Sequence, residues 1–474
     1  MTAPVSETLP ASVPVEAGWS ASRVAVYSVP LLWMLSLAYA VNYMDRSIVG
    51  TLAQAIKVDL VLTDGQLGIL QGFAYVVLYS VTGLPLAWLA ERRNRINLLS
   101  ICLVAWSAMT MICGVAQNYA QLLLLRVGVG IGEAGCNPCS HSMIADAFAP
   151  QQRSRALSIY QLGATIGTTI GAISAGFIAD KVGWRMAFVV VGAPGLLLAA
   201  ALKLVSKDPP RVETKRSATE VEAARVLPVA RRIVTSPALV HIVIGFTLAS
   251  FVSGALGAFS QPYFVRAFGL SYGTIGLVFG LSGGLASAAS LISGGRLTDR
   301  LTQRDTRWHV WLPLIGLAIS IPCSWLHFSV ADWRIAVAWG FLNGFFMNWF
   351  IIPTLSVMHK LVGVRLVATG MALILLFQNF VGLGGGPFFT GYLIDFLSQH
   401  FFASGGHGNF QALCPGGKAH VGAAIGLAHA CRSSITAATR VGLQFTLLVR
   451  VWACLHYALA AKHVLRELAA PRQA

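Results

Sequence analysis

Long apolar runs alternate along the chain with short polar or Gly/Pro-containing breaks. Twelve runs stand out: 26–48, 65–89, 97–117, 120–145, 155–178, 185–205, 237–262, 273–297, 309–328, 334–357, 366–397 and 441–461. Each has about the 20 residues a helix needs to cross roughly 30 Å of hydrocarbon. The runs are continuous, without the period-2 alternation of a transmembrane β-barrel, which excludes that class. The expected fold is therefore an all-α membrane protein with 12 transmembrane helices.

Four ionisable residues interrupt the apolar pattern in the first and fourth runs: Asp45, Arg46, Arg126 and Glu133. A charge at the bilayer centre costs about 2.5–3.5 kcal/mol on insertion scales, so it is rarely kept without a partner or a polar cavity. Arg126 and Glu133 lie nearly two turns apart on one helix face, about 10 Å along the axis. Gly128, Gly130 and Gly132 between them allow close helix approach. Pro138 is expected to free a carbonyl and kink the fourth helix. Asp45 and Arg46 diverge by about 100° around the first helix, so only one can point squarely into a central cavity.

Composition agrees with a membrane chain: 56% of residues are hydrophobic and 11% charged. The net charge of +16 is unevenly placed. Under the twelve-helix reading, 23 of the 34 Lys and Arg fall on one side and eight on the other (Lys57, Lys181, Arg185, Arg266, Arg334, Lys418, Arg432, Arg440). Arg46, Arg126 and Arg450 lie within helices. Basic excess marks the cytoplasmic side, so both termini are expected there, in a multi-pass protein of the cell inner (plasma) membrane. The basicity is topological, and no nucleic-acid partner is expected.

The longest cytoplasmic loop, 206–236, divides the chain into two sets of six helices. The expected organisation is a disordered tail (1–22), an N-terminal bundle (23–205), this linker (206–236), a C-terminal bundle (237–464) with an extracytoplasmic insertion (398–440), and a tail (465–474). A surface helix is expected around 423–440. The pair Glu91-Arg92 after the second run is echoed 208 residues later by Asp299-Arg300 after the eighth. Two pseudo-symmetric six-helix bundles with a site between them form a transporter architecture.

At these positions the chain resembles the major facilitator superfamily, and within it the Spinster family. Leu89-Ala90-Glu91-Arg92-Arg93-Asn94-Arg95 corresponds to the superfamily's signature loop, with Ala87 and Asn94 in place of its glycines and Glu91 in place of Asp. Asn42-Tyr43-Met44-Asp45-Arg46, the stretch from Arg126 to Glu133, Gly183-Trp184-Arg185 and Arg153-Ser154-Arg155-Ala156 are similar to Spinster sequences. The resemblance covers residues 25–395 and thins in the C-terminal half. It implies transport of lysophospholipids or sphingosine-phosphate-like amphiphiles, coupled to protons. It also implies that the Asp45-Arg46 and Glu133 positions take part.

From the residues themselves, Asp45 and Glu133 read as proton carriers or as members of a static salt-bridge network. Burial raises a carboxyl's proton affinity and a nearby Arg lowers it, so movement of the Arg would switch the proton. Arg46 and Arg126 read as head-group contacts or as counter-charges only. Asn42, Tyr43, Asn343, Phe346, Phe377 and Gln378 are expected to line the cavity. The C-terminal half is aromatic, as a greasy tail would require, although Phe-rich faces also pack against lipid.

Glu91, Arg92, Arg95, Asp146, Asp299 and Arg300 are read as a gating relay, with topology signal alone as the other reading; the resemblance implies a brace against the eleventh helix. Gly163, Gly167 and Gly171 read as ordinary close packing. Gly382, Gly384, Gly385, Gly386 and Pro387 make the eleventh helix the one most ready to bend. Cys414 and Cys431 could pair across the insertion. No phosphate loop, zinc spacing or nucleophile elbow is present, so neither a cofactor or metal nor an enzyme activity is expected. The expected partners are the bilayer, an amphiphilic or small-molecule substrate and protons, with the chain acting as a monomer. The alternatives on the same pattern are a transporter of drugs, organic acids or sugars, and a non-transporting membrane sensor.

Overall fold

The computed structural model describes residues 21–211, 226–363 and 366–469. Most of the expected tails (1–22 and 465–474) and the middle of the 206–236 linker fall outside them. Among the described residues every regular element is helical.

The N-terminal half begins with α1 (Ala21–Asp59). The second span is shared by α2 (Asp64–Gln71) and α3 (Phe73–Arg92), and the third is α4 (Arg95–Cys113). The fourth is shared by α5 (Tyr119–Glu133) and α6 (Cys136–Ala147), followed by α7 (Pro150–Val182) and α8 (Trp184–Val205). The short α9 (Val226–Thr235) leads into the C-terminal half, where α10 (Pro237–Phe268), α11 (Tyr272–Thr302) and α12 (Trp308–Ser329) follow. The tenth span comprises α13 (Trp333–Met347) and α14 (Ile351–Val362), the eleventh α15 (Val367–Phe377) and α16 (Gly385–Ser404). After the one-turn α17 (Phe410–Leu413), the chain ends in α18 (Ile425–Ala469).

These make the 12-helix bundle pair. Nine helices among the described residues are long and apolar enough to cross a membrane. The other three spans are α1, which carries Asp45 and Arg46, and the two interrupted pairs α2–α3 and α5–α6. Below, the end where α1 starts and α18 finishes is called the terminal face, and the opposite end the far face.

Three boundaries differ from the sequence reading. The fourth span breaks at Ala134–Gly135, directly after Glu133, and Pro138 sits in the first turn of α6. Proline cannot donate to the carbonyl four residues back, here Ala134, so the ladder opens ahead of the ring instead of at it. The eleventh span bends through a wide π-turn over Gln378–Gly384, while Pro387 is accommodated in the first turn of α16. The helix expected around 423–440 is continuous with the last span, forming the single 45-residue α18.

Glycines set the closest crossings. A Cβ on Gly163, Gly167 or Gly171 of α7 would drive into the α1 backbone at Ser36, Ala40 and Met44. This is the packing role expected of them.

The halves meet through a duplicated device at the far face. Asp395 of α16 accepts from the backbone N–H groups of Asp64 (2.8 Å) and Gly65 (2.7 Å) at the start of α2. Asp180 of α7 accepts from Tyr272 (3.0 Å) and Gly273 (2.8 Å) at the start of α11. In each, the N-cap hydroxyl, Thr63 or Ser271, accepts from the third N–H of its helix, so the other half satisfies the two remaining first-turn donors. Gly391 and Gly176, each four residues before its aspartate, let the backbones of Asp64 and Tyr272 come into contact.

Candidate functional site

The break after Glu133 leaves that carboxylate at the end of α5, fully buried. Arg46 reaches it from α1: its Nε donates to Glu133 Oε2 at 3.0 Å. Arg46 keeps a quarter of its side chain exposed and lies over the rings of Tyr43 (4.7 Å) and Tyr79 (5.1 Å). Asp45 turns the other way and is wholly buried, in electrostatic range of Glu133, Arg126 and Arg46. Arg126 Nη1 donates to the backbone carbonyl of Asp45 at 3.4 Å. The structure thus brings all four charged residues together, with Arg46 as the member that reaches open space.

The cluster is under-satisfied. Both Asp45 carboxylate oxygens, Glu133 Oε1, Arg126 Nε and both ends of the Asn42 amide are buried without a hydrogen-bond partner. Trp106 Nε1, Ser107 Oγ and Thr110 Oγ1 on α4 and Ser140 Oγ on α6 are in the same condition. Unpaired buried polar groups are costly in a packed core, and here they gather around the four charges.

A tyrosine network that the sequence reading missed frames Arg46. Tyr39 stacks on Tyr160 (4.4 Å between centroids), and the Asn137 side chain links Tyr160 (2.9 Å) to Tyr79 (3.0 Å). These residues come from α1, α3, α6 and α7, and no spacing along the chain connects them.

In the C-terminal half, α10, α11, α12 and α13 line a half-open cavity of about 220 Å³. Its lining is mostly apolar, with Leu256, Phe279 and Val337, and is set with a few polar groups, among them Ser253, Gln261 and Asn343. Asn343 is part of this lining. Phe346 packs edge-on against Trp349 (5.2 Å), Phe377 is half-exposed, and Gln378 is buried at the start of the π-turn. Across the seam, Phe73 meets Phe380 (5.3 Å) and Phe388 (5.2 Å).

The residues read as a gating relay stay on the terminal face. Arg95 is buried and donates to Asp146, to Asp208 (2.8 Å), to Ser142 (2.9 Å) and to the Pro209 carbonyl (2.6 Å), all within the N-terminal half. Arg92 lies over Trp88, while Glu91, Asp299 and Arg300 are exposed. Among the described residues, the hydrogen bonds that cross between halves lie at mid-bundle or at the far face. These are Thr169 to Gly280, Gln71 to Ala258, the two aspartate caps, and Arg266 to Gln54 (2.7 Å) and Asp64 (2.5 Å). Lys57 completes this group on Asp64. The molecule is therefore drawn together at its far face. Cys414 and Cys431 are disulfide-bonded, and the adjoining Gly416 rests on the α1 backbone at Lys57 and Val58.

Comparison with known proteins places this architecture. The pattern described as Major Facilitator Superfamily matches residues 35–308, more than half of the chain. The chain belongs to the major facilitator superfamily. An MFS-type efflux pump of Mycolicibacterium smegmatis is 33% identical to it over 366 residues, 77% of this chain and 84% of the pump. Protein spinster homolog 1 of Homo sapiens is 26% identical over 381 residues, 76% of this chain and 72% of the relative. A solved structure described as a bacterial homolog to the human lysosomal transporter Spinster, inward-facing and unoccupied, superposes with a TM-score of 0.85. It is 29% identical and covers 94% of this chain and 99% of that one. The protein is thus an MFS transporter of Spinster type.

Proposed function

We propose that this Spinster-type transporter moves a lysophospholipid- or sphingolipid-like amphiphile by alternating access, coupled to protons. The terminal face is assigned to the cytoplasm on the distribution of Lys and Arg, in a cell inner membrane. The observation that carries the reading is the four-charge cluster itself. Glu133 has one oxygen on Arg46 and the other unpartnered, and the Asp45 carboxylate is buried beside Thr110, Arg126 and Arg46. A proton arriving on Glu133 would release Arg46, and a ligand that engaged Arg46 would in turn favour that proton. Coupling of this kind needs no further group. The half-open Arg46 on one side and the aromatic seam around Phe73 and Phe380 on the other suit a ligand with a polar end and an apolar tail.

The test is flux of a labelled lysophospholipid in liposomes under an imposed pH gradient, beside Glu133→Gln. Flux that follows the gradient, and gradient dependence lost in the variant, is the expected result. Absence of lysolipid flux in folded wild-type protein would refute the substrate class. A gradient response unchanged in Glu133→Gln would refute the coupling role. The likeness to an efflux pump at 33% identity favours a second reading, export of small organic molecules on the same frame. Competition by such compounds without competition by lysolipid would select it.

A further inference from the structure

Two arginines of the C-terminal half are buried, and they differ in one respect. Arg266 meets the carboxylate of Asp64. Arg450, on α18, is fully buried and forms no ion pair among the described residues. Its Nη1 is spent on neutral acceptors: the Ser320 carbonyl (3.2 Å), Ser320 Oγ (2.9 Å), Ser324 Oγ (2.9 Å) and Asn343 Oδ1 (2.9 Å). Its Nη2 rests on the Met347 thioether (3.1 Å), a weak acceptor, and its Nε has no partner. A buried cation whose charge is not matched is a costly thing to keep.

Two of its acceptors, Asn343 and Met347, are also walls of the C-terminal cavity. Asn343 Oδ1 is occupied by Arg450 and by Ser324 (2.5 Å), which directs the amide NH2 end away from them. Ser324 and Arg450 thereby fix the orientation of an amide that would otherwise flip freely. Gln261 lines the same cavity with its Oε1 buried and unpartnered, and a turn of that amide replaces the orphan acceptor with a donor. By contrast, the N-terminal cluster is balanced, two acids against two bases, and offers a ligand no net charge.

We propose that this cavity is an anion subsite, in which Asn343, backed by Arg450, receives a negatively charged phosphate or carboxylate oxygen of the transported amphiphile. Met347 is the displaceable cover: a ligand oxygen replaces its sulfur on Nη2 as a far better acceptor. The N-terminal cluster carries the proton, and Arg46 keeps its contact with another polar group of the ligand. The proposal rests on the amphiphile reading above, and it assigns the acidic end of the ligand to the half opposite the proton site.

The experiment uses the full-length protein in nanodiscs and measures binding of three probes: a lysophosphatidic acid, the monoacylglycerol of the same chain length, and glycerol phosphate. Wild type is expected to prefer the phosphorylated lipid by about tenfold or more, the scale of one charge-assisted hydrogen bond. Asn343→Asp, which sets a carboxylate at the cavity wall, and Arg450→Gln should each abolish that preference and leave monoacylglycerol binding in place. Asn343 is only part-buried, so its variant keeps the test open where loss of Arg450 prevents folding. Equal affinity for the two lipids in wild type, or a preference retained in Asn343→Asp, overturns the anion subsite while leaving the amphiphile reading intact. If neither lipid binds, the amphiphile reading fails. Glycerol phosphate then decides the subsite: binding lost in Asn343→Asp upholds it, and no binding overturns it.

Discussion

Replacing Asp395 by Asn tests whether the paired aspartate caps at the far face act as a latch. The carboxylate accepts two hydrogen bonds, from the N–H groups of Asp64 at 2.8 Å and Gly65 at 2.7 Å. Asparagine keeps one acceptor and turns an NH2 toward the second donor, so one bond to a charged group is lost, at about 1.5–3 kcal/mol. The negative charge also leaves the N-terminus of α2, which removes about 0.3–1 kcal/mol of helix-dipole stabilisation. Together these amount to about 2–4 kcal/mol against the form closed at the far face, roughly a 30- to 700-fold shift in the opening equilibrium. Amide hydrogen exchange in nanodiscs reads this shift. The amides of Asp64 and Gly65 lose their acceptor directly, so they do not discriminate. The informative reporters are Tyr272 and Gly273, held by Asp180 in the mirror-image cap on α11. If the caps open together, Asp395→Asn speeds exchange at 272–275 by the same factor, and Asp180→Asn speeds it at 64–67. Acceleration confined to the capped helix in each variant would refute the latch and reduce both aspartates to local helix caps.

The remaining predictions concern the two ends of the bundle. Arg95→Ala removes a guanidinium that is 1% exposed from between Asp146 and Asp208 and should cost about 3–5 kcal/mol, seen as a lower thermal midpoint in detergent. Arg95→Lys keeps the charge but not the fork and should fall between; an unchanged midpoint in Arg95→Ala would show the network to be dispensable. The Cys414–Cys431 bond closes a loop of 17 residues, for which chain entropy gives about 3 kcal/mol. Reduction should lower the thermal midpoint, and labelling of both thiols by an alkylating reagent without prior reduction would disprove the bond.

The number of spans and the duplication were legible because burial in lipid writes them as length and charge. The breaks were harder. Pro138 was visible, yet the opening falls at Ala134–Gly135, since proline removes a bond four residues upstream of itself. The far-face caps left a trace that went unread: Thr63-Asp64-Gly65-Gln66-Leu67-Gly68 and Ser271-Tyr272-Gly273-Thr274-Ile275-Gly276 stand 208 residues apart, the same interval as Glu91 and Asp299. What the repeat could not supply was the partner, because each aspartate lies in the opposite half from the motif it caps: Asp395 is 331 residues after Asp64, and Asp180 is 92 residues before Tyr272. The frame around Arg46 was illegible for a related reason. Tyr79, Asn137 and Tyr160 converge from three helices, and a tyrosine in an apolar run is indistinguishable from one at the membrane interface until the helices are packed.

The two halves therefore differ in chemistry while matching in mechanics. Each latch joins a helix start in one half to a Gly-x-x-x-Asp segment in the other, so opening the far face has to release both. That release exposes Asp64, Arg266 and Lys57, now paired with one another. An open form can compete only if contacts made elsewhere offset the loss. The terminal face is where the proposed transport cycle would seek such contacts; among the described residues Arg95 holds Asp146 of the N-terminal bundle and Asp208 of the linker. Between the two faces lie the interruptions that let rigid segments change angle: the α2–α3 break at Gly72 meets the π-turn of the eleventh span, where a Cβ on Gly72 would strike the Gly384 carbonyl. Irregular backbone at membrane depth persists where it is buried in protein or lines a cavity. Here it sits at the crossing of the two halves, where Gly72 of one meets Gly384 of the other.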